Sequence, residues 1–399
     1  MKPNLRRVAG FLALKPGIAA SLAMAVLVGM GERMAERFLP VYIIALGGTP
    51  LIIGLLNGMD NLLSALYSFP GGFLADRLGY KRALLIFNLL AVLGYSIVIM
   101  VPSSWAVIVG AVFFLSWSAI SLPATMSLVA DVLPQNKHGM GVSMHSMVRR
   151  VPMALGPLIG GGLISAFGMV RGVRYAFFAA IGFALLALVI QQLFIREPAR
   201  AQKNPQHLKI NIPPQLRQLL VSDILIRFCE QIPYAFVVVW VIQAKGFSAA
   251  QFGLLTAIEM VTAMLIYIPV AWLADRGSRK PYIAITFVNF TLFPLVLSLC
   301  SSFTALIFAF ILRGLKEFGE PTRKALILDL APEGAKASTF GTYYLIRDVI
   351  VSLAAFGGAF LWQKSPQLNF YTAGAFGLLG TLYFIFTVKP KPLSQPALP

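Results

Sequence analysis

Apolar runs long enough to cross a bilayer recur along nearly the whole chain, and no other feature narrows its possible folds so far. A hydrocarbon core of ~30 Å needs about 20 apolar residues per helix. Dividing the runs at charge clusters and Pro/Gly punctuation predicts twelve spans. They cover residues 17–45, 51–75, 83–101, 104–131, 141–167, 173–195, 219–243, 250–274, 281–300, 303–329, 338–363 and 368–388. The first is read as one long helix despite Glu32, Arg33, Glu36 and Arg37, because its apolar spacing stays helical. The basic N-terminal stretch lacks an A-x-A-type cleavage site, so this span is expected to remain as an anchor. Only 12% of residues are charged, against about 25% in soluble chains, which excludes a soluble enzyme.

The formal net charge of +18 is explained by topology. With the N-terminus cytoplasmic, segments on that side hold 19 Lys and Arg and the outer segments hold four (Arg171, Arg174, Lys245, Lys364). The positive-inside rule then places both termini inside, in agreement with an even number of spans. The basic residues are not interleaved with aromatics as a nucleic-acid patch would be, so no nucleic-acid partner is expected. The polar stretch 196–218 divides an N-terminal six-helix bundle, residues 1–195, from a C-terminal one, residues 219–399, and has the composition of a cytoplasmic linker. Cys229 and Cys300 fall in apolar stretches, and His138 and His145 have no ligand-spaced partners, so no metal, cofactor or disulfide framework is expected. No nucleotide-binding P-loop, nucleophile elbow or H-E-x-x-H is present, which disfavours ATP-driven transport.

The two halves repeat. At an offset of 199 residues, FPGGFLADRLGYKR meets IPVAWLADRGSRKP and Asp60 meets Glu259. At 198, LPATMSLVADVLP meets EPTRKALILDLAP, pairing Asp131 with Asp329, and Arg149 meets Arg347. A weaker match at 194 relates Arg33-x-x-Glu36 to Arg227-x-x-Glu230. Two six-span halves in one orientation form a parallel repeat about an axis along the membrane normal.

The stretch Gly72-x-x-x-Asp76-Arg77-x-Gly79-x-Lys81-Arg82 after the second span, echoed at Asp275-Arg276 after the eighth, resembles the signature of the major facilitator superfamily. That resemblance covers essentially the whole chain. It implies an all-α polytopic membrane protein of two six-helix bundles that transports a small solute by rocker-switch alternating access. Gly72, Asp76, Arg77, Gly79, Lys81 and Arg82, with Asp131, Asp275, Arg276 and Asp329, are then expected to act in gating. Physically, Asp76 at the C-terminal end of a helix needs a compensating partner, because the helix dipole disfavours an anion there. In the fifth span, Gly156, Pro157, Gly160 and Gly161 (GPLIGG) resemble the core of a motif of drug/proton antiporters in this superfamily, with Pro152 where a glycine is usual. The same small residues also serve close helix packing.

Well inside the spans, ten basic residues (Arg33, Arg37, Arg149, Arg150, Arg227, Arg313, Lys316, Arg323, Lys324, Arg347) face eight acidic ones (Glu32, Glu36, Asp60, Glu230, Glu259, Glu317, Glu320, Asp348). An isolated charge at mid-bilayer costs at least ~2.5–3.5 kcal/mol, so these groups are expected to pair or to face a wet cavity. Arg149 and Arg347 lie roughly 12–14 Å in from the cytoplasmic ends of their spans, and Arg313 about 15 Å in from the outer end of its own. With Arg227, Lys316 and Glu317 they are the substrate-binding candidates. Arg323 and Lys324 are expected to snorkel to the cytoplasmic interface. In the tenth span, Arg313, Lys316, Glu317, Glu320 and Lys324 fall on one face of a continuous helix with i,i+4 pairs. The candidates for proton coupling are Glu32, Glu36, Asp60, Glu230, Glu259 and Glu320. Glu32 and Glu36 share a face, and two carboxylates so close in a low dielectric cannot both ionise freely unless arginines serve them. Arg33 to Phe38 also resembles the E-x-x-E-R-F motif of proton-dependent oligopeptide transporters, but Arg33 replaces the first glutamate and no peptide substrate is assigned.

The sequence therefore predicts a monomeric secondary transporter of the inner or plasma membrane, with protons, lipids and a small organic solute as its partners. Export of an amphipathic or anionic compound is preferred. The alternative is proton-coupled uptake of an anionic metabolite, with Arg149, Arg313 and Arg347 binding carboxylate or phosphate. A receptor-like membrane protein that moves nothing would need a soluble module, and a linker of this length is too short for one.

Overall fold

The computed structural model describes residues 16–78, 80–115, 138–194, 213–274, 279–332 and 336–388. Each of the twelve predicted spans contains helix among its described residues. The elements are α1 (Pro16–Glu36), α2 (Leu39–Ala45), α3 (Pro50–Leu78), α4 (Tyr80–Met100), α5 (Ser104–Leu115), α6 (His138–Phe167), α7 (Met169–Phe194), α8 (Pro214–Tyr234), α9 (Phe236–Val239), α10 (Ala249–Ala274), α11 (Lys280–Leu299), α12 (Phe303–Leu315), α13 (Glu320–Leu330), α14 (Lys336–Lys364) and α15 (Pro366–Thr387). Among the described residues, eight helical stretches are long and apolar enough to cross a membrane.

The helices fall into two compact units, Met1–Pro205 with Val238–Ala257, and Gln206–Val237 with Ile258–Pro399. Packing repeats from one to the other. In the first, α1 lies against α7 and α6, and α4 and α6 both pack on α7; in the second, α8 lies against α15 and α14, and α11 and α14 both pack on α15. The first core holds the mutually packed rings of Tyr95, Phe114 and Phe177, with centroids 5.4–6.0 Å apart. The second is built on Leu216, Ile226, Ile283, Phe287, Ile327, Tyr343 and Phe384. Large apolar side chains remain uncovered on the outer helices, among them Leu89, Leu93, Phe178, Leu185, Val189, Leu378, Leu379 and Phe386. A bilayer solvates such surfaces at no cost, whereas water would not.

Three predicted helices are not continuous, and in two of them a proline just past the break is the reason. The first span breaks at Arg37–Phe38 between α1 and α2, because Pro40 in the first turn of α2 has no N–H to donate and its ring crowds the carbonyl four residues back. The tenth breaks at Lys316–Gly319, ahead of Pro321 in the first turn of α13. The backbone groups released there find partners on α11: the Gly319 amide donates to Thr286 Oγ1 at 2.5 Å, and Asn289 Nδ2 donates to the Leu315 carbonyl at 3.0 Å. Side chains can sustain a helix break at membrane depth in this way. The seventh span is also segmented, with Pro233 near the end of α8 and a π-helical turn over Trp240–Ala244.

Lysines at repeat-equivalent positions fasten the helix ends. Lys81 Nζ donates to the Gln192 carbonyl of α7 at 3.0 Å, and Lys280 Nζ to the Ile385 carbonyl of α15 at 2.6 Å. Both satisfy carbonyls in the last turns of helices, where the dipole favours a cation.

Candidate functional site

In the second unit, one face of α8 carries Asp223, Arg227 and Glu230 at i, i+4 and i+7. Arg227 Nη1 donates to Glu230 at 2.6 Å, Nη2 lies 3.4 Å from Glu320, and Nε lies 3.9 Å from Asp223. Lys316, on the turn between α12 and α13, reaches Glu230 at 2.8 Å and Glu259 of α10 at 3.4 Å. Arg313 also faces Glu259, at 3.4 Å, with its guanidinium 5.0 Å from the centre of the Phe293 ring and 5.7 Å from that of Tyr234. From α14, Arg347 bonds Asp348 at 2.7 Å, approaches Asp223 at 3.5 Å and lies 4.1 Å from the Tyr344 ring. With Arg323, which pairs with Asp223 and Glu320, five cations meet these five carboxylates, so the set is neutral as a whole. Aromatic faces supply further compensation for the arginines.

The break before α13 changes what the tenth span does. The residues expected on one face of a continuous helix are divided: Arg313 and Lys316 turn to Glu259 and Glu230, while Glu320 pairs with Arg323 at 2.7 Å and Lys324 at 3.5 Å. Glu317 is half-buried beside them. Arg323 does not snorkel. It is 1% exposed, ion-paired to both Asp223 and Glu320, whereas Lys324 is 45% exposed and lies 3.5 Å from Glu320. Snorkelling is only one way to satisfy a deep cation, and buried carboxylates on α8 and α13 provide another.

Asp223 is the residue that sequence reasoning passes over. It lies four residues inside the predicted start of its span, where a carboxylate reads as interfacial. In the structure it is fully buried, contacting Arg323 and accepting from the Tyr343 hydroxyl at 3.1 Å. The available signal was its i,i+4 relation to Arg227.

The first unit carries a smaller counterpart. Arg33 Nη1 bonds Glu36 at 2.5 Å and Nη2 lies 3.7 Å from Glu32, so one guanidinium serves both carboxylates. This i,i+3 pair matches Arg227 and Glu230 in the second unit. Asp60 on α3 lies close enough to Glu36, Arg33, Glu32 and Arg37 for their charges to act on it. Asn61 Nδ2 donates to the Asn57 carbonyl at 2.9 Å along the same helix. Arg149, half-buried on α6, feels the charges of Arg33 and Glu32 but forms no ion pair among the described residues.

The small residues of α6 face two neighbours. A Cβ at Gly156 would come within 2.6 Å of Arg33 Cβ, and one at Gly160 would run into the Met34 carbonyl. Gly161 faces the Ala249 backbone, and Gly253 of α10 faces the Pro157 carbonyl. Of the residues expected to gate, Lys81 and Arg82 begin α4 and Asp329 pairs with Arg279. The side chains of Gly72, Asp76 and Arg77, with Gly79, Asp131, Asp275 and Arg276, lie outside the described residues, as do those of His138 and His145. The described residues contain no group of three or more His, Cys, Asp or Glu placed to hold a metal.

A model of the family described as Major Facilitator Superfamily matches residues 21–229 and again 219–398. An uncharacterized MFS-type transporter of Methanocaldococcus jannaschii is 22% identical over 379 residues, covering 90% of this chain and 91% of its own. The multidrug resistance protein MdtG of Enterobacter lignolyticus is 29% identical over 218 residues, half of each chain. Among solved structures, the nucleoside transporter NupG superposes with a TM-score of 0.77 at 13% identity, over 92% of this chain and 98% of its own.

Proposed function

The chain belongs to the major facilitator superfamily, and from that premise we propose that it is a proton-driven secondary transporter that exports a small amphipathic or anionic organic compound by alternating access. It is an integral, multi-pass membrane protein and not an enzyme. The observation that carries the reading is the pair of acid–base clusters built at equivalent places in the two repeats. Each sets an i,i+3 Arg–Glu bond near a carboxylate on the next long helix, Asp60 within range of the charges in one and Glu259 bridged through Lys316 in the other. Carboxylates held among arginines within the membrane can exchange a proton for a partner cation without leaving a net buried charge. In this reading Glu32, Glu36, Asp60, Glu230, Glu259 and Glu320 carry the coupling, while Asp76, Arg77, Asp131, Asp275, Arg276 and Asp329 gate. Close packing of α6 through Gly156 and Gly160 supports the moving bundle. Export is favoured by the resemblance to a multidrug resistance protein, and the basic loops favour the inner or plasma membrane.

The test is flux in proteoliposomes under an imposed pH gradient, with a solute chosen by thermal-shift screening. Asp60→Asn is expected to abolish gradient-driven accumulation while leaving solute exchange at zero gradient. Wild-type flux indifferent to the gradient would refute proton coupling.

A further inference from the structure

The repeat places one arginine at the same site on the fifth span of each half, Arg149 and Arg347, yet the two stand in opposite electrostatic situations. Arg347 is closed off by Asp348 at 2.7 Å and Asp223 at 3.5 Å. In the first half the residue after the arginine is Arg150 in place of a carboxylate. The nearby acids are already engaged, since Arg33 holds Glu36 at 2.5 Å and lies 3.7 Å from Glu32. Arg149 forms no ion pair among the described residues. The charge counts differ in the same sense. Five cations balance five carboxylates in the second cluster, whereas among the described residues of the first-half spans Arg33, Arg37, Arg149 and Arg150 exceed Glu32, Glu36 and Asp60 by one. Glu32, shared with Arg33, is the one acid among the described residues whose charge acts on Arg149. A guanidinium within a span that has no ion pair of its own among those residues is costly to keep, so its retention in one half only calls for a negative group from outside the chain.

We propose that Arg149 seats the anionic group of the solute and that the solute is an organic monoanion, its carboxylate or sulfonate gripped by the planar fork of the guanidinium. This rests on the transporter reading and deepens it. It assigns charge recognition to the first unit, whereas Arg227, Arg313, Lys316 and Arg347 of the second serve its internal pairs.

The test uses the full chain in uncharged detergent and two matched fluorescent probes, dansylglycine as the monoanion and dansylamide as its neutral counterpart. The wild type is expected to bind dansylglycine at least about tenfold more tightly than dansylamide, the scale of one charge-assisted contact. Arg149→Gln should erase that preference without weakening dansylamide, and Arg149→Lys should keep most of it. With no probe present, the melting temperature of Arg149→Gln should not fall, because no ion pair is lost; an arginine with a structural role would lower it. The proposal is overturned if the wild type shows no preference, whether it binds both probes or neither, or if Arg149→Gln retains the preference. It is equally overturned if phosphatidylglycerol, and not dansylglycine, gives Arg149-dependent thermal protection, since the seat would then belong to a lipid. Transport is read separately in proteoliposomes. An Arg149-dependent preference without movement of either probe refutes the transporter reading alone, and movement of dansylamide without any preference refutes the anion seat alone.

Discussion

Replacing Asp223 by asparagine keeps the shape of the side chain and its bond from the Tyr343 hydroxyl but removes the charge that three guanidinium groups share. Arg323 contacts it directly, Arg347 lies 3.5 Å away and Arg227 3.9 Å. At an effective dielectric of about 20, one pair at 4 Å is worth ~4 kcal/mol. Asparagine also relieves the desolvation of the carboxylate, so the net loss expected for breaking this buried set is about 3–5 kcal/mol. In detergent that corresponds to a fall in the thermal midpoint on the order of 10 °C. The five-to-five balance supplies a sharper check. In Asp223→Asn/Arg347→Gln the cluster is neutral again, and the double variant should recover at least half of the loss, with a coupling of roughly 0.5–3 kcal/mol. Thermal unfolding of the two single variants and the double completes the cycle. A single Asp223→Asn change within about 0.5 kcal/mol of the wild type, or a double variant no better than the sum of its parts, would refute the claim that the cluster is held by charge balance.

Two further expectations concern stability. Thr286→Val leaves the Gly319 amide without its acceptor at the break before α13 and should cost about 1–3 kcal/mol in thermal unfolding, whereas Thr286→Ser should be nearly neutral. Gly160→Ala drives a methyl group into the Met34 carbonyl and should destabilise by about 1–3 kcal/mol, while Gly162→Ala two residues on, with open space around it, should stabilise by about 0.4–1 kcal/mol.

How much was legible from the sequence differs between fold and site. Span positions, the repeat and the equivalence of Arg33-x-x-Glu36 with Arg227-x-x-Glu230 were open to reading, because hydrophobic length and helical spacing are local properties. Two of the helix breaks were also written there, in Pro40 and Pro321, but unbroken apolar spacing outweighed them. Arg323 and Asp223 show the limit. Each lies a few residues inside a predicted span end, where an interfacial position and a buried one look alike from sequence.

The sequence by itself determined that this chain crosses a membrane repeatedly, that its two halves are copies and that both bury charge, since a bilayer's thickness and low dielectric act on any segment wherever it packs. Only the tertiary structure decided which charges meet, because a pair interacts through the distance between two side chains on different helices. That distance gives Arg347 its ion pairs and leaves Arg149, its repeat partner, with no ion pair among the described residues.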